Sequence, residues 1–318
     1  MGRFLKSISI YFLAAFILLY ALQYLQERPK RIAVRMGLDK NLVKWNGAKA
    51  AQYNTIFIGS SRVYSSLDPV LFDSLTGLFS YNMGTGSQSL MESYYYLREV
   101  LKTDTSVRYV VMDLFMRSCR MIDYYQASAN LPYLTGMNKM EFISQGCGAR
   151  GIFNTFIPLL KHVGYIDIPS NTMYKPENLQ GPHFSEWDRG FLRTIRSDTA
   201  RKSDFRNHKI QEIDANTALI GYLEKIASLC RERNIELICT VIPASDVPNG
   251  IEIRYFEELT AKQGIRFFSA FPNLNSNDLK SDDFHQNRSG AHKTTTALEK
   301  YFHEQIIGPQ RDMTRVGQ

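Results

Sequence analysis

Three residue types in this chain are those that acyl chemistry needs. Ser60 and Ser61 follow Gly59 directly after an apolar run, Thr55 to Ile58, and Asp282 and His285 stand three positions apart ahead of the last helical stretch. A serine hydroxyl is a weak nucleophile until a base takes its proton. Histidine suits that task, and a carboxylate can hold the imidazole in the required tautomer. Asp-x-x-His in one turn supplies both partners from a single segment. The chemistry implied is attack on an ester carbonyl and formation of an acyl-enzyme. Read singly, each residue has a plainer explanation. Gly-Ser-Ser is ordinary turn composition. Asp282 can serve as a helix cap, with Asp283 beside it leaving the register open, and His285 as a capping or surface residue. What separates the two readings is whether the fold brings these groups to one place.

The elements that would position them alternate along the chain. Strands are expected at Thr55–Ile58, Phe79–Asn82, Arg108–Leu114, Glu236–Ile242 and Ile265–Ser269, all short apolar runs bounded by turn residues. Helices are expected at 68–75, where Asp68 can cap and Pro69 suits the first turn, and at 90–102, 210–234, 253–263 and 288–306. In the second of these, Met91, Tyr94, Tyr95, Leu97, Val100 and Leu101 form the expected inner face. The alternation predicts a three-layer, doubly wound α/β domain of the flavodoxin-like kind, with about five parallel strands. Sites in such sheets form at the carboxyl ends of the strands. Those ends carry Gly59-Ser60-Ser61, Asn82 to Gly86, Asp113, Pro243-Ala244-Ser245 and the segment after Ser269. Residues 115–207 break the rhythm and read as a large insertion with helices of its own, at Met140–Ser144 and Phe153–His162. The basic run Arg189 to Lys209 reads as a solvated face, with a groove for an anionic glycan as its alternative.

The N-terminus follows a different logic. Ser7 to Gln26 contains no charged residue, and twenty residues at helical rise span roughly 30 Å, the thickness of a bilayer core. Arg3 and Lys6 precede it and no small-x-small cleavage site follows. An uncleaved signal anchor over 1–26 is therefore preferred to a cleaved signal peptide or a buried helix. Residues 27–50 read as a polar, partly helical juxtamembrane stalk, 51–308 as the folded domain and 309–318 as a tail. Of the net charge of +7, five units belong to the first 35 residues, where six basic residues face the single acid Glu27. The body is thus nearly balanced, which argues against a nucleic-acid surface. Positive charges flanking the apolar run slightly favour a cytoplasmic body. Cys230 and Cys239 read as buried small hydrophobes, while Cys119 and Cys147 fall in the irregular region and can pair if it is exported. No Cys/His spacing of a metal site is present.

Taken in order, these blocks resemble the SGNH, or GDSL-type, hydrolase superfamily over roughly residues 53–114 and 210–305. The first block, Gly-Asp-Ser in that family, is Gly59-Ser60-Ser61 here. That makes Ser61 the nucleophile and replaces the aspartate by Ser60, as in a membrane-anchored branch. The last block matches as Asp282, His285, Asn287, Gly290 and Ala291. The second-block glycine falls in YNMGTGSQS, at Gly86 or Gly84, with Gly86 preferred. The third block, Gly-x-Asn-Asp, is absent; VVMDLFMRSCR stands there, and Arg62, Arg117 and Ser118 are the candidates to replace its asparagine. The resemblance implies a Ser61-His285-Asp282 triad and an oxyanion hole from the backbone of Ser61 and Gly86 (or Gly84). It implies no metal and no organic cofactor. It further implies an esterase or O-acetyltransferase acting on an acylated cell-envelope glycan outside the cytoplasm, in the periplasm, in some relatives beside a membrane-bound O-acyltransferase. A reading of a different class is a non-catalytic envelope interaction module on a decayed site, and a third is a cytoplasm-facing lipid esterase.

Overall fold

The computed structural model describes residues 2–26, 40–120, 122, 130–146, 187–192, 219–243, 250–279 and 285–308. Two compact units divide the chain, one comprising Met1–Val43 with Lys139–Phe184 and the other Lys44–Asn138 with Ser185–Gln318.

In the first unit, α1 runs Gly2–Gln26 as one helix, and Ile10, Tyr11, Phe12, Leu13, Phe16, Ile17 and Leu18 are exposed along it. Among the described residues no helix is long and apolar enough to cross a membrane.

The second unit is built on five parallel strands, β1 (Thr55–Ile58), β2 (Ser80–Asn82), β3 (Tyr109–Asp113), β6 (Glu236–Thr240) and β7 (Arg266–Phe268), in the order β2-β1-β3-β6-β7. This is a doubly wound order whose direction reverses at β1 and β3. The central strands are buried on both faces, which is why they read as unbroken apolar runs rather than alternations. Phe57, Val111 and Ile238 point to one side. There α3 (Ser61–Ser66) with its C-cap Leu67, α4 (Pro69–Thr76) and α10 (Arg288–Phe302) supply Val63, Leu67, Phe72, Leu298 and Phe302 to a single core cluster. Ile56, Ile58, Val110, Met112 and Cys239 point to the other side and are fully buried. Helices α5 (Leu90–Val100) and α8 (Gly221–Glu232) pack against each other, and α9 (Gly250–Lys262) packs beside β7. The expected inner face of α5 is corrected at one position: Tyr94 is half-buried, whereas Tyr96 is fully buried and donates its hydroxyl to Glu92. Burial on nearly all sides of α5 removes the single apolar stripe that the expectation assumed.

Residues 40–50 belong to the segment expected as a partly helical stalk. They form α2 (Lys40–Ala50), in which Trp45 and Ala48 are buried. The Trp45 indole donates to Asn130, meets Tyr96 edge-on and stacks on Tyr133. The second compact unit begins at Lys44. Within the expected insertion, α6 (Met116–Arg120), α7 (Gly136–Gly146) and a two-stranded hairpin, β4 (Trp187–Asp188) with β5 (Phe191–Leu192), are described. Helix α7 contains the expected Met140–Ser144, while Phe153–His162 lies outside the described residues. The hairpin tip closes on the edge strand: Asn82 N–H donates to the Arg189 carbonyl, and Arg189 pairs with Asp73. Cys119 is buried, and Cys147 lies outside the described residues.

Glu99 ties α5 to the segment after β3. It accepts hydrogen bonds from Lys102, from the Thr135 hydroxyl and N–H, and from Asn138. Against the cost of burial, these donors hold its carboxyl down to about 2 from an ordinary 4.5. A depressed carboxylate contributes stability above the unfolded value that is lost as pH falls through the folded one. Thermal melts across pH 7 to 2 should show Glu99→Gln less stable than the wild type at pH 7. The two should converge between pH 4.5 and 2; parallel curves would show that Glu99 is not linked to folding in this way.

Candidate active site

Strand β1 is followed by Gly59, whose backbone has a φ of +149°. A Cβ at that position would meet Val63 at 2.7 Å and Asp113 at 3.1 Å, so only glycine lets the chain turn sharply from the strand into α3. Ser60 caps α3, its hydroxyl accepting from Arg62 N–H. Ser61 opens the helix at the carboxyl edge of the sheet. The His285 Nε2 lies 2.7 Å from the Ser61 hydroxyl oxygen, across 224 residues of chain. Serine and histidine are thus in direct hydrogen bond, as a nucleophile and its base must be.

The last block holds His285 through its neighbours. Gln286 donates to the Pro243 carbonyl at the end of β6 and forms an isolated bridge with Leu279. Asn287 caps α10 by accepting from Ser289 and Gly290 N–H, and donates to the carbonyls of Asn277 and Leu279. Gly290 lies so close to Asp278 that a Cβ would meet its carbonyl at 2.3 Å. Against the cost of burial, Asp278 accepts from Lys293, Asn275 N–H and Ser289, which hold its carboxyl below its ordinary value. These contacts fix the spacing of Asn287 and Gly290, and Ala291 beside them is buried. Asp282, the expected orienting carboxylate, lies outside the described residues, as does Asp283. The Tyr64 ring lies parallel to the His285 imidazole at a centroid distance of 6.3 Å.

The second-block loop discriminates between its two glycines. Gly84 N–H donates to the Asn82 side chain, and a Cβ on Gly84 would press on Val63, Ser60 and Tyr64 at 2.9 to 3.0 Å. Gly84 is therefore the packing glycine that lets the loop lie on α3. Thr85 N–H donates to the Gly59 carbonyl and to Gln88. Among the described residues, no group takes the N–H of Gly86 or of Ser61. The expected oxyanion hole would use these two backbone donors.

Of the candidates to replace the absent third-block asparagine, Ser118 is committed, donating its hydroxyl to the Phe115 carbonyl. The Arg117 side chain lies outside the described residues. Arg62 is buried, with its Nε 3.5 Å from the Asp113 carboxylate and its guanidinium over the Phe115 ring. Asp113 also accepts from Ile242 N–H, and burial pushes its carboxyl up to about 6. Among the described residues no cluster of His, Cys, Asp and Glu could hold a metal ion.

No family model matches the sequence, and no curated protein matches it. Solved structures do. The chain is similar to a GDSL-like lipase from Bacteroides thetaiotaomicron, at 11% identity and a TM-score of 0.41, with 88% of this chain and 99% of that one covered. It is similar to an acetyl xylan esterase from the rumen bacterium Butyrivibrio proteoclasticus, at 10% identity and a TM-score of 0.37, over 80% of this chain and 65% of that one.

Ser61 and His285, expected together, lie in contact, whereas Lys44 and Asn82 were not among the expected site residues. The Lys44 ammonium is buried and donates to the Gly84 carbonyl. Asn82 donates to the carbonyls of Val63 and Leu67, clamping α3 to the end of β2. The one sequence-level signal for either was the position of Asn82 at a strand end.

Proposed function

We propose that this chain is an SGNH-type serine acyl-ester hydrolase or O-acyltransferase. The observation that carries this reading is the 2.7 Å hydrogen bond between Ser61 and His285 at the carboxyl edge of the sheet. In this mechanism His285 takes the Ser61 proton as the serine oxygen attacks an ester carbonyl. Asp282 holds the imidazole and offsets its positive charge. The N–H groups of Ser61 and Gly86 receive the oxyanion. His285 then returns the proton to the leaving alcohol, and an acyl-enzyme remains. Water resolves it in an esterase, and a sugar hydroxyl in an O-acyltransferase. The contact between Ser61 and His285 weighs against a non-catalytic module, because a binding surface has no use for a paired nucleophile and base.

The substrate class and location extend the same reading. The apolar N-terminal helix, the Gly-Ser-Ser first block and the insertion after β3 favour a membrane-anchored protein. Its body would face the periplasm and act on an acylated, most simply acetylated, envelope glycan, with a membrane-bound O-acyltransferase as donor partner. Intact-mass analysis of the full-length protein in detergent with a fluorophosphonate tests the chemistry, one adduct on Ser61 being expected and none being fatal. A reporter fused after Gln318 tests the side of the membrane.

A further inference from the structure

The loop after β2 is held from three directions. Gly84 N–H is tied to Asn82, Thr85 N–H to the end of β1, and the Gly84 carbonyl to the ammonium of Lys44 on α2. Two residues on, Ser87 has a φ of +50°, a left-handed conformation that a serine adopts only when its surroundings impose it. Lys44 is only 5% exposed, and its Nζ stands 5.5 Å over the Tyr64 ring that lies parallel to His285. Burying an ammonium is costly, and α2 does not need it as an anchor. Trp45 already fixes the helix, and the Tyr81 hydroxyl donates to the Lys44 carbonyl at 2.7 Å. A buried cation with a hydrogen bond to the second-block loop gives that loop a fixed point on α2.

We propose that Lys44 is a positioning residue of the oxyanion hole: from α2 it fixes the Gly84 carbonyl, and with it the direction of the Gly86 N–H. The segment ahead of the sheet is then part of the catalytic machinery. With no third-block asparagine, the hole rests on two backbone donors, and this contact is one of the three that hold the loop carrying Gly86. The inference rests on the ester-hydrolase reading.

The test uses the full-length chain in detergent, with fluorophosphonate labelling rates and steady-state hydrolysis of p-nitrophenyl acetate. Lys44→Met keeps the stem and removes the donor. It should lower kcat and the labelling rate by on the order of 10- to 100-fold, with KM within about twofold and an unchanged melting temperature. Lys44→Arg, which keeps a donor and the charge, should recover part of the loss. Unchanged kcat in Lys44→Met, or a change confined to KM or melting temperature, overturns the proposal. If Lys44→Met does not fold, Lys44→Gln is read by the same criteria. A wild type that takes no adduct removes the hydrolase reading and this inference together, whereas a labelled wild type with an equally fast Lys44→Met removes the inference alone.

Discussion

Ser61→Ala is expected to abolish fluorophosphonate labelling and to lower ester hydrolysis by roughly 10³-fold or more, with an unchanged melting temperature. His285→Ala should cost a similar factor in hydrolysis and label slowly. The reason lies in one distance. At 2.7 Å the imidazole accepts or shares the hydroxyl proton directly, so neither residue works without the other. Residues that act as a unit are not additive. The double variant should therefore lose little more than either single one, and that cycle is the most informative result. If the losses instead multiplied, Ser61 and His285 would be contributing independently, for instance to binding. The folded state should tolerate Ser61→Ala, because the hydroxyl lies at the partly exposed edge of the sheet and the helix is capped by Ser60. Hydrolysis that persists in Ser61→Ala would sink the serine mechanism.

The frame that positions this pair was legible because a parallel sheet buried on both faces leaves a plain trace. TIFI, YVVMD and ELICT are short, apolar and closed by turn residues, and each became a strand. The last block was legible for a local reason, since Asn287 and Gly290 act within a few residues of His285. Contacts set by distant backbone left no such trace. Lys44 sits in a polar stretch, and its role depends on a carbonyl that the fold delivers from 40 residues away. Trp45 gave no periodic pattern with its neighbours, and only packing on Tyr96 and Tyr133 makes α2 part of the core. The hairpin at Trp187–Leu192 has strands of two residues, too short for any alternation to show. Its tip is fixed by the edge of β2.

The pair beneath the nucleophile should dominate stability. Arg62 follows Ser61, and Asp113 ends β3; both are buried, 3.5 Å apart. A guanidinium cannot shed its charge, whereas a carboxyl can. Asp113→Ala should therefore be the costlier change, losing about 3–5 kcal/mol by leaving Arg62 charged and without its counter-ion. Arg62→Met should cost less, because Asp113 can take up a proton. Arg62→Met with Asp113→Leu should recover much of the loss, since replacing both charges by packed apolar groups is often neutral. The pH dependence separates this account from simple loss of packing. Burial pushes Asp113 from 3.8 up to about 6, against the pull of Arg62 and Ile242 N–H and with the added push of Glu252. The native state thus holds this proton longer than the unfolded chain. Asp113 contributes stability below pH 3.8 that is lost as pH rises through about 6. Urea unfolding between pH 4 and 7 should show that decline on top of other titrations in the wild type, and Asp113→Asn should lack it. An Asp113→Ala variant within about 1 kcal/mol of wild type would show that Arg62 finds its counter-charge elsewhere. The turn that carries Ser61 would then owe its position to Gly59 and Asn82 alone.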